Sequence, residues 1–302
     1  MNRDETFLSD SDEKFLRHTK TCPVDVSCIE DESKRSSMAR LLGEILRIFG
    51  VLYFELEALD GATVANDCRA TAIAIQKPPD DSCISEATDL PRTVELARTI
   101  VVWRGEQLRF HIVLHMNVAE MLLSDDKQHE ALAMACIAHE LAHVQHEGRF
   151  SQRFSSIYRG PLECGNRIRG MFIRAMDVWS EYAACRSSAC FRPEALGEHG
   201  MLLRHAIEKS LTIRRTGSSQ DRQVAAAEML VCAGYLLGQL DGLELEAELA
   251  TQDAEISLHG HLTVAMTLNR LRDILRKLWE TEEEWESIEV FAPIYDLMLE
   301  LG

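Results

Sequence analysis

The chain has 302 residues, 46% apolar and 27% charged, with nine dispersed cysteines, which excludes collagen-like, wholly disordered and disulfide-dense classes. A net charge of −17 argues against recognition of nucleic acid or anionic membranes through the overall field. From Asp241 onward 15 acidic residues face 4 basic ones, a net of −11, so the acidic part is C-terminal. That excess reads as a solvated helical face, with a surface for basic partners as the alternative.

In chain order, residues 1–36 are rich in Asp, Glu, Ser and Lys and read as a flexible acidic tail or loosely docked arm, its Cys22 and Cys28 incidental thiols. Met38, Leu41, Leu42, Ile45, Leu46 and Phe49 recur at helical spacing, predicting a helix over 37–49 stopped by Gly50. Alternation of Leu52, Phe54, Leu56 and Ala58 with Tyr53, Glu55 and Glu57 predicts a strand, residues 63–76 are ambiguous, and 77–82 are a loop. Two further strands, 99–103 and 108–116, flank a hairpin connection. The second turns Leu108, Phe110, Ile112, Leu114 and Met116 to a packed face, and Arg109, His111, Val113 and His115 to a polar one. From Val118 the pattern is helical: 118–123, 127–147, 167–189, 193–214, 219–240, 262–279 and 282–301. The apolar run 224–240 is interrupted by Glu228 and Gln239 and is read as no membrane span. Without a secretory signal at the N-terminus, and with an odd, scattered cysteine set, the expected compartment is the cytoplasm.

Chemistry concentrates in Ala135-Cys-Ile-Ala-His-Glu-Leu-Ala-His-Val-Gln-His-Glu-Gly148. Four residues apart on a helix, His139 and His143 lie about 40° from each other, one turn separated, so both imidazoles reach one metal. Glu140, about 100° round from His139, falls beside that metal, where its carboxylate can take a proton from water. Two neutral imidazoles suit Zn2+. Ile137, Leu141 and Val144 supply the apolar face of the same helix. His146 shares the histidine stripe but lies about 10 Å along the axis from His139, too far to join one ion, and is expected to be solvent-exposed with Gly148 as the stop.

The gluzincin arrangement of such a motif takes its third ligand from a later helix, and the candidates here are Asp177 and Glu181. Glu181 is favoured because Val178, Ala184 and Cys185 are small enough for its helix to approach the active-site helix closely. Asp177, four residues before it, would repel it unless one carboxylate binds the metal and Asp177 sits in an outer shell or pairs with Arg174. His111 and His115 share a strand face without further clustered ligands, which favours a surface or packing role.

The metzincin pattern requires Gly and His where this chain has His146 and Arg149. Instead, His139-Glu-Leu-Ala-His143 followed by Trp179-Ser-Glu-Tyr-Ala-Ala-Cys-Arg186 resembles zincin-like metallopeptidases of the gluzincin type, particularly bacterial HExxH proteins with a Glu-Tyr-Ala segment, over about 50 residues. The resemblance implies His139, His143 and Glu181 as Zn2+ ligands, Glu140 as general base, and a peptide or protein substrate. Many gluzincins carry Asp four residues after the ligand Glu to support the first His; here that position is Cys185, so the surrounding shell is built differently. Residues 108–116 are the strand expected to hold an extended substrate, and Tyr158, His205, His259 and His261 are the candidates for stabilising the oxyanion.

The expected fold is α+β and predominantly helical: a small twisted sheet packed on the HExxH helix, then a helical region. Residues 37–190 form the zincin-like domain, and 191–302 an acidic helical region that either completes it or stands apart. A non-catalytic zinc-containing regulatory or scaffold protein, binding partners through that acidic end, is the alternative function. No nucleic-acid or membrane partner is expected, and the sequence assigns no oligomeric state.

Overall fold

The structure, a computed structural model, describes residues 22–76, 96–154, 166–245 and 262–302. It is α+β and predominantly helical, with one mixed four-stranded sheet among the described residues. Contact density divides the chain into two compact units, Met1–Gly148 and Arg149–Gly302.

In the first unit, β1 (Val24–Asp25) and α1 (Glu32–Leu52) precede β2 (Leu59–Ala65), α2 (Cys68–Gln76), β3 (Ala97–Arg104), β4 (Gln107–His115), α3 (Met116–Leu122) and α4 (Lys127–Arg153), which runs into the second unit. Part of the stretch assigned to a tail is therefore structured: residues 24–25 join the sheet, and Asp31 caps α1 by accepting from the Lys34 amide at 2.8 Å. Residues 1–21 lie outside the described residues. Gly50 does not stop α1, being one of its buried positions, and the strand expected over 52–58 is instead the helix end and a connection. Phe54 and Leu56 alternate because both are buried in that connection. The true strand, β2, spans the start of the ambiguous stretch, and α2 its remainder.

The sheet order is β1-β2-β4-β3, with β1 and β4 both parallel to β2 and β3 antiparallel to β4. The predicted hairpin is present. Only Gly105 and Glu106 separate its strands; Gly105 takes φ 62° and Glu106 does not, the pattern of a type II′ connection. The polar face expected on β4 is a correction. Phe110 to Leu114 are all buried, because α2 covers the second face and packs Cys68 and Ala72 against Val113, Ile100 and Val102. His111 is accommodated there by hydrogen bonds, described below.

The second unit holds the end of α4, α5 (Asn166–Ser188), α6 (Leu196–Thr216), α7 (Ser219–Gly242), α8 (Leu262–Glu280) and α9 (Ala292–Leu301). The helix expected over 282–301 is broken into two short 3-10 turns, Glu282–Glu284 and Ile288–Phe291, before α9 starts with Pro293 in its first turn. By length and composition α7 could cross a membrane, but most of it is buried as the central helix of this unit. A capping box between Ser218 and Asp221 starts it.

Glycines set how closely α7 meets α5. A Cβ at Gly234 would fall 2.7 Å from the Val178 carbonyl oxygen. One at Gly238 would fall 2.8 Å from the Cys185 Cβ and closer still to the Tyr182 carbonyl oxygen, and one at Gly242 would strike the Arg186 carbonyl. Spaced by four, the three glycines form a stripe on which the backbone of α5 lies. Val178 and Cys185, two of the small neighbours of Glu181, meet α7. Gly238→Ala is expected to lower stability by about 2 kcal/mol, overpacking outweighing the ~1 kcal/mol gain in helix propensity. Gly43→Ala on α1, where nothing lies within 4 Å of the new Cβ, should be neutral or stabilising. Urea denaturation midpoints of the two variants check the contrast.

Candidate metal centre

The motif lies within α4, as its spacing requires. The helix continues through Gly148 to Arg153, so that glycine is not a stop. A Cβ there would lie 2.8 Å from the Ala58 Cβ, and glycine serves close packing. His146 is buried, contrary to the exposure expected for it.

Ile137, Leu141 and Val144 are fully buried, which fixes the rotation of α4 and leaves His139 and His143 half-buried. Their Nε2 atoms are 3.1 Å apart, and the rings meet edge to face with centroids 4.7 Å apart. Two imidazoles on one ion at about 2.0–2.1 Å in tetrahedral geometry would place their nitrogens about 3.3 Å from each other, so the observed pair is already close to a shared-ligand arrangement. Glu181, the favoured third ligand, lies on α5 in the second unit, where it is half-buried. Asp177, the other candidate, is directed to Arg174 at 3.6 Å, the pairing expected to relieve its repulsion with Glu181.

The two nitrogens form a ligand pair able to hold a divalent cation with further positions left open. Cys185, where the resembling family carries Asp, is a buried thiol; burial pushes its pKa well above the ordinary value and the Glu181 charge adds to the rise. It is a neutral neighbour to the carboxylate.

Glu140 is buried, and its Oε2 accepts from Thr99 Oγ1 at 2.8 Å; the same hydroxyl lies 3.1 Å from the Glu140 carbonyl oxygen. Thr99 belongs to β3. This corrects the choice of β4 as the substrate strand: β4 is paired on both sides, by β2 and β3, and offers no edge. Among the described residues β3 is an edge strand, and it is the one that reaches Glu140. Sequence spacing carries no sign of Thr99, since 41 residues and a hairpin separate it from its partner.

Of the oxyanion candidates, His205 is exposed on α6, and Tyr158, His259 and His261 lie outside the described residues. His111 and His115 serve structure. His115 Nδ1 accepts from the Asn117 amide and caps α3. His111 bridges the sheet, with Nε2 2.9 Å from Thr63 Oγ1 and Nδ1 3.0 Å from Asp60 Oδ2, while Arg104 donates twice to Asp60 at 2.7 and 2.6 Å. Burial lowers the His111 pKa against the opposing pull of Asp60, which keeps the ring neutral. Cys28 donates to the Val64 carbonyl, and burial together with the Asp60 charge pushes the Cys22 thiol up to about 12, so neither is a ready metal ligand.

No family model, curated protein or solved structure matches the chain.

Proposed function

We propose that the protein is a zinc-dependent metallopeptidase of zincin-like type, acting on a peptide or protein substrate. The observation that carries the reading is the His139–His143 pair, with Nε2 atoms 3.1 Å apart on α4 and Glu140 next to the first of them, and Glu181 is proposed as the third ligand. The donor set suits Zn2+, which when bound supplies a Lewis acid that acidifies water toward a pKa of about 7 and polarises a carbonyl oxygen. Glu140 takes a proton from the attacking water as the water oxygen bonds to the peptide carbonyl carbon. The same carboxyl then returns that proton to the amide nitrogen as the carbon–nitrogen bond breaks. The edge of β3 is suited to hold an extended substrate by main-chain hydrogen bonds.

Cys185 favours a second reading: without the carboxylate expected at that position, the chain would keep a metal centre for regulation or scaffolding and lack turnover. Glu140→Gln separates the two. For the peptidase, zinc content stays at wild-type level while cleavage of a quenched fluorescent peptide library falls by about 10²–10⁴-fold. No cleavage by the zinc-loaded wild type would leave the regulatory reading.

A further inference from the structure

We infer that Thr99 is a positioning residue for the general base, holding one oxygen of Glu140 so that the other is presented to the reacting water; this rests on the peptidase reading above. The hydroxyl has one proton and two acceptors near it. The carboxylate Oε2 at 2.8 Å is closer than the carbonyl at 3.1 Å and is charged, so the proton belongs to the carboxylate. The carrier is rigid: Thr99 is β-branched, which restricts its side-chain rotation, and its backbone is in register with Ile112 of the buried strand β4. Glu140 is flexible by comparison, an unbranched side chain with three rotatable bonds.

Oε2 held by Thr99 leaves Oε1 as the proton acceptor, and the carboxylate plane is fixed before substrate arrives. The arrangement joins catalysis to the strand proposed to carry the substrate, since the same β3 segment that orients the base offers its outer edge to the peptide. The Thr99 hydroxyl bonds Glu140, which is not a proposed ligand, so its loss should leave the metal in place.

The test uses the full chain loaded with Zn2+ and, separately, with Co2+, in wild type, Thr99→Val, Thr99→Ser, Glu140→Gln and the Thr99→Val/Glu140→Gln double variant. With a peptide that wild type cleaves, Thr99→Val should lower kcat about 10- to 100-fold at unchanged KM, and Thr99→Ser should return it to within about threefold of wild type. In the Glu140→Gln background Thr99→Val should cost nothing further, because the group it positions is gone. Zinc per chain and the visible absorption of the Co2+ form should match wild type in Thr99→Val. Full activity in Thr99→Val, failure of serine to restore it, additive losses in the double variant, or a changed Co2+ spectrum each overturns the proposal. A wild-type chain that holds zinc and cleaves nothing overturns the peptidase reading itself, and the role of Thr99 with it, whereas wild-type cleavage indifferent to Thr99 overturns only the positioning.

Discussion

His143→Ala should leave the purified chain without stoichiometric zinc. In the proposed site three donors share one ion, and a vacated ligand position forfeits a share of a binding free energy that for closed protein sites totals about 10–16 kcal/mol. Affinity should fall by at least about 100-fold, more than loss of a supporting group produces. Glu181→Ala is the sharper variant, because α4 carries the histidine pair without it. If Glu181 is a ligand, its removal lowers affinity on the same scale while far-UV circular dichroism stays native. If zinc content is unchanged by Glu181→Ala, the three-ligand arrangement is wrong, and if wild type takes up no zinc, so is the metal centre. Competition with a chromophoric chelator reads all three proteins on one scale.

Asp241→Ala should destabilise the second unit by about 3–5 kcal/mol, a large part of the roughly 5–15 kcal/mol that holds a typical domain folded. Asp241 accepts from Tyr182 at 2.8 Å, from Arg272 at 2.9 and 2.6 Å, and from Arg276 at 3.0 and 2.8 Å; Arg186 in turn donates to the Tyr182 hydroxyl and lies over the Trp279 ring. Removing the one carboxylate leaves Arg272, itself buried, without its counter-charge. Arg276 is partly exposed and can turn to water, so the penalty falls mainly on Arg272. Urea titration at pH 7 checks the value, and a loss below about 1 kcal/mol would show the cluster to be dispensable.

Acid should have a milder form of the same effect. Burial opposes ionisation of Asp241, but hydrogen bonds from Arg276, Arg272 and Tyr182 outweigh it and hold its carboxyl below the ordinary range. The stabilisation from this group is therefore complete above the unfolded-state value of about 3.9 and is lost as pH falls through the lower folded-state value. Asp241→Asn should remove that segment of the pH dependence.

The motif was legible in the sequence because a helix fixes the spacing of its side chains: His139, Glu140 and His143 needed only the 3.6-residue period to be placed beside one another. Pairing of Asp177 with Arg174 was one of two arrangements that their spacing left open. The hairpin was legible from Gly105. What local pattern could not carry was the second side of each element. Alternation along β4 described one packed face, yet α2 covers the other, so His111 is buried and needs Thr63 and Asp60 as partners. Gly50 and Gly148 read as stops because glycine weakens helices, but each is buried within one, and at Gly148 the approach of Ala58 requires it. The glycines of α7 lie in an apolar run whose period marks them no more than their neighbours, and only the course of α5 shows what they are for. Thr99 was out of reach for a similar reason, its partner being brought to it by the sheet.

The long apolar course of α7 has one more effect, on what happens when the protein is heated. Covered, it is an ordinary core helix; uncovered, it is an apolar stretch with Glu228 as its one charge between Val224 and Leu240, open to association with other copies of itself. Thermal inactivation should therefore follow a clock rather than an equilibrium, set by how often the helical unit opens and by protein concentration.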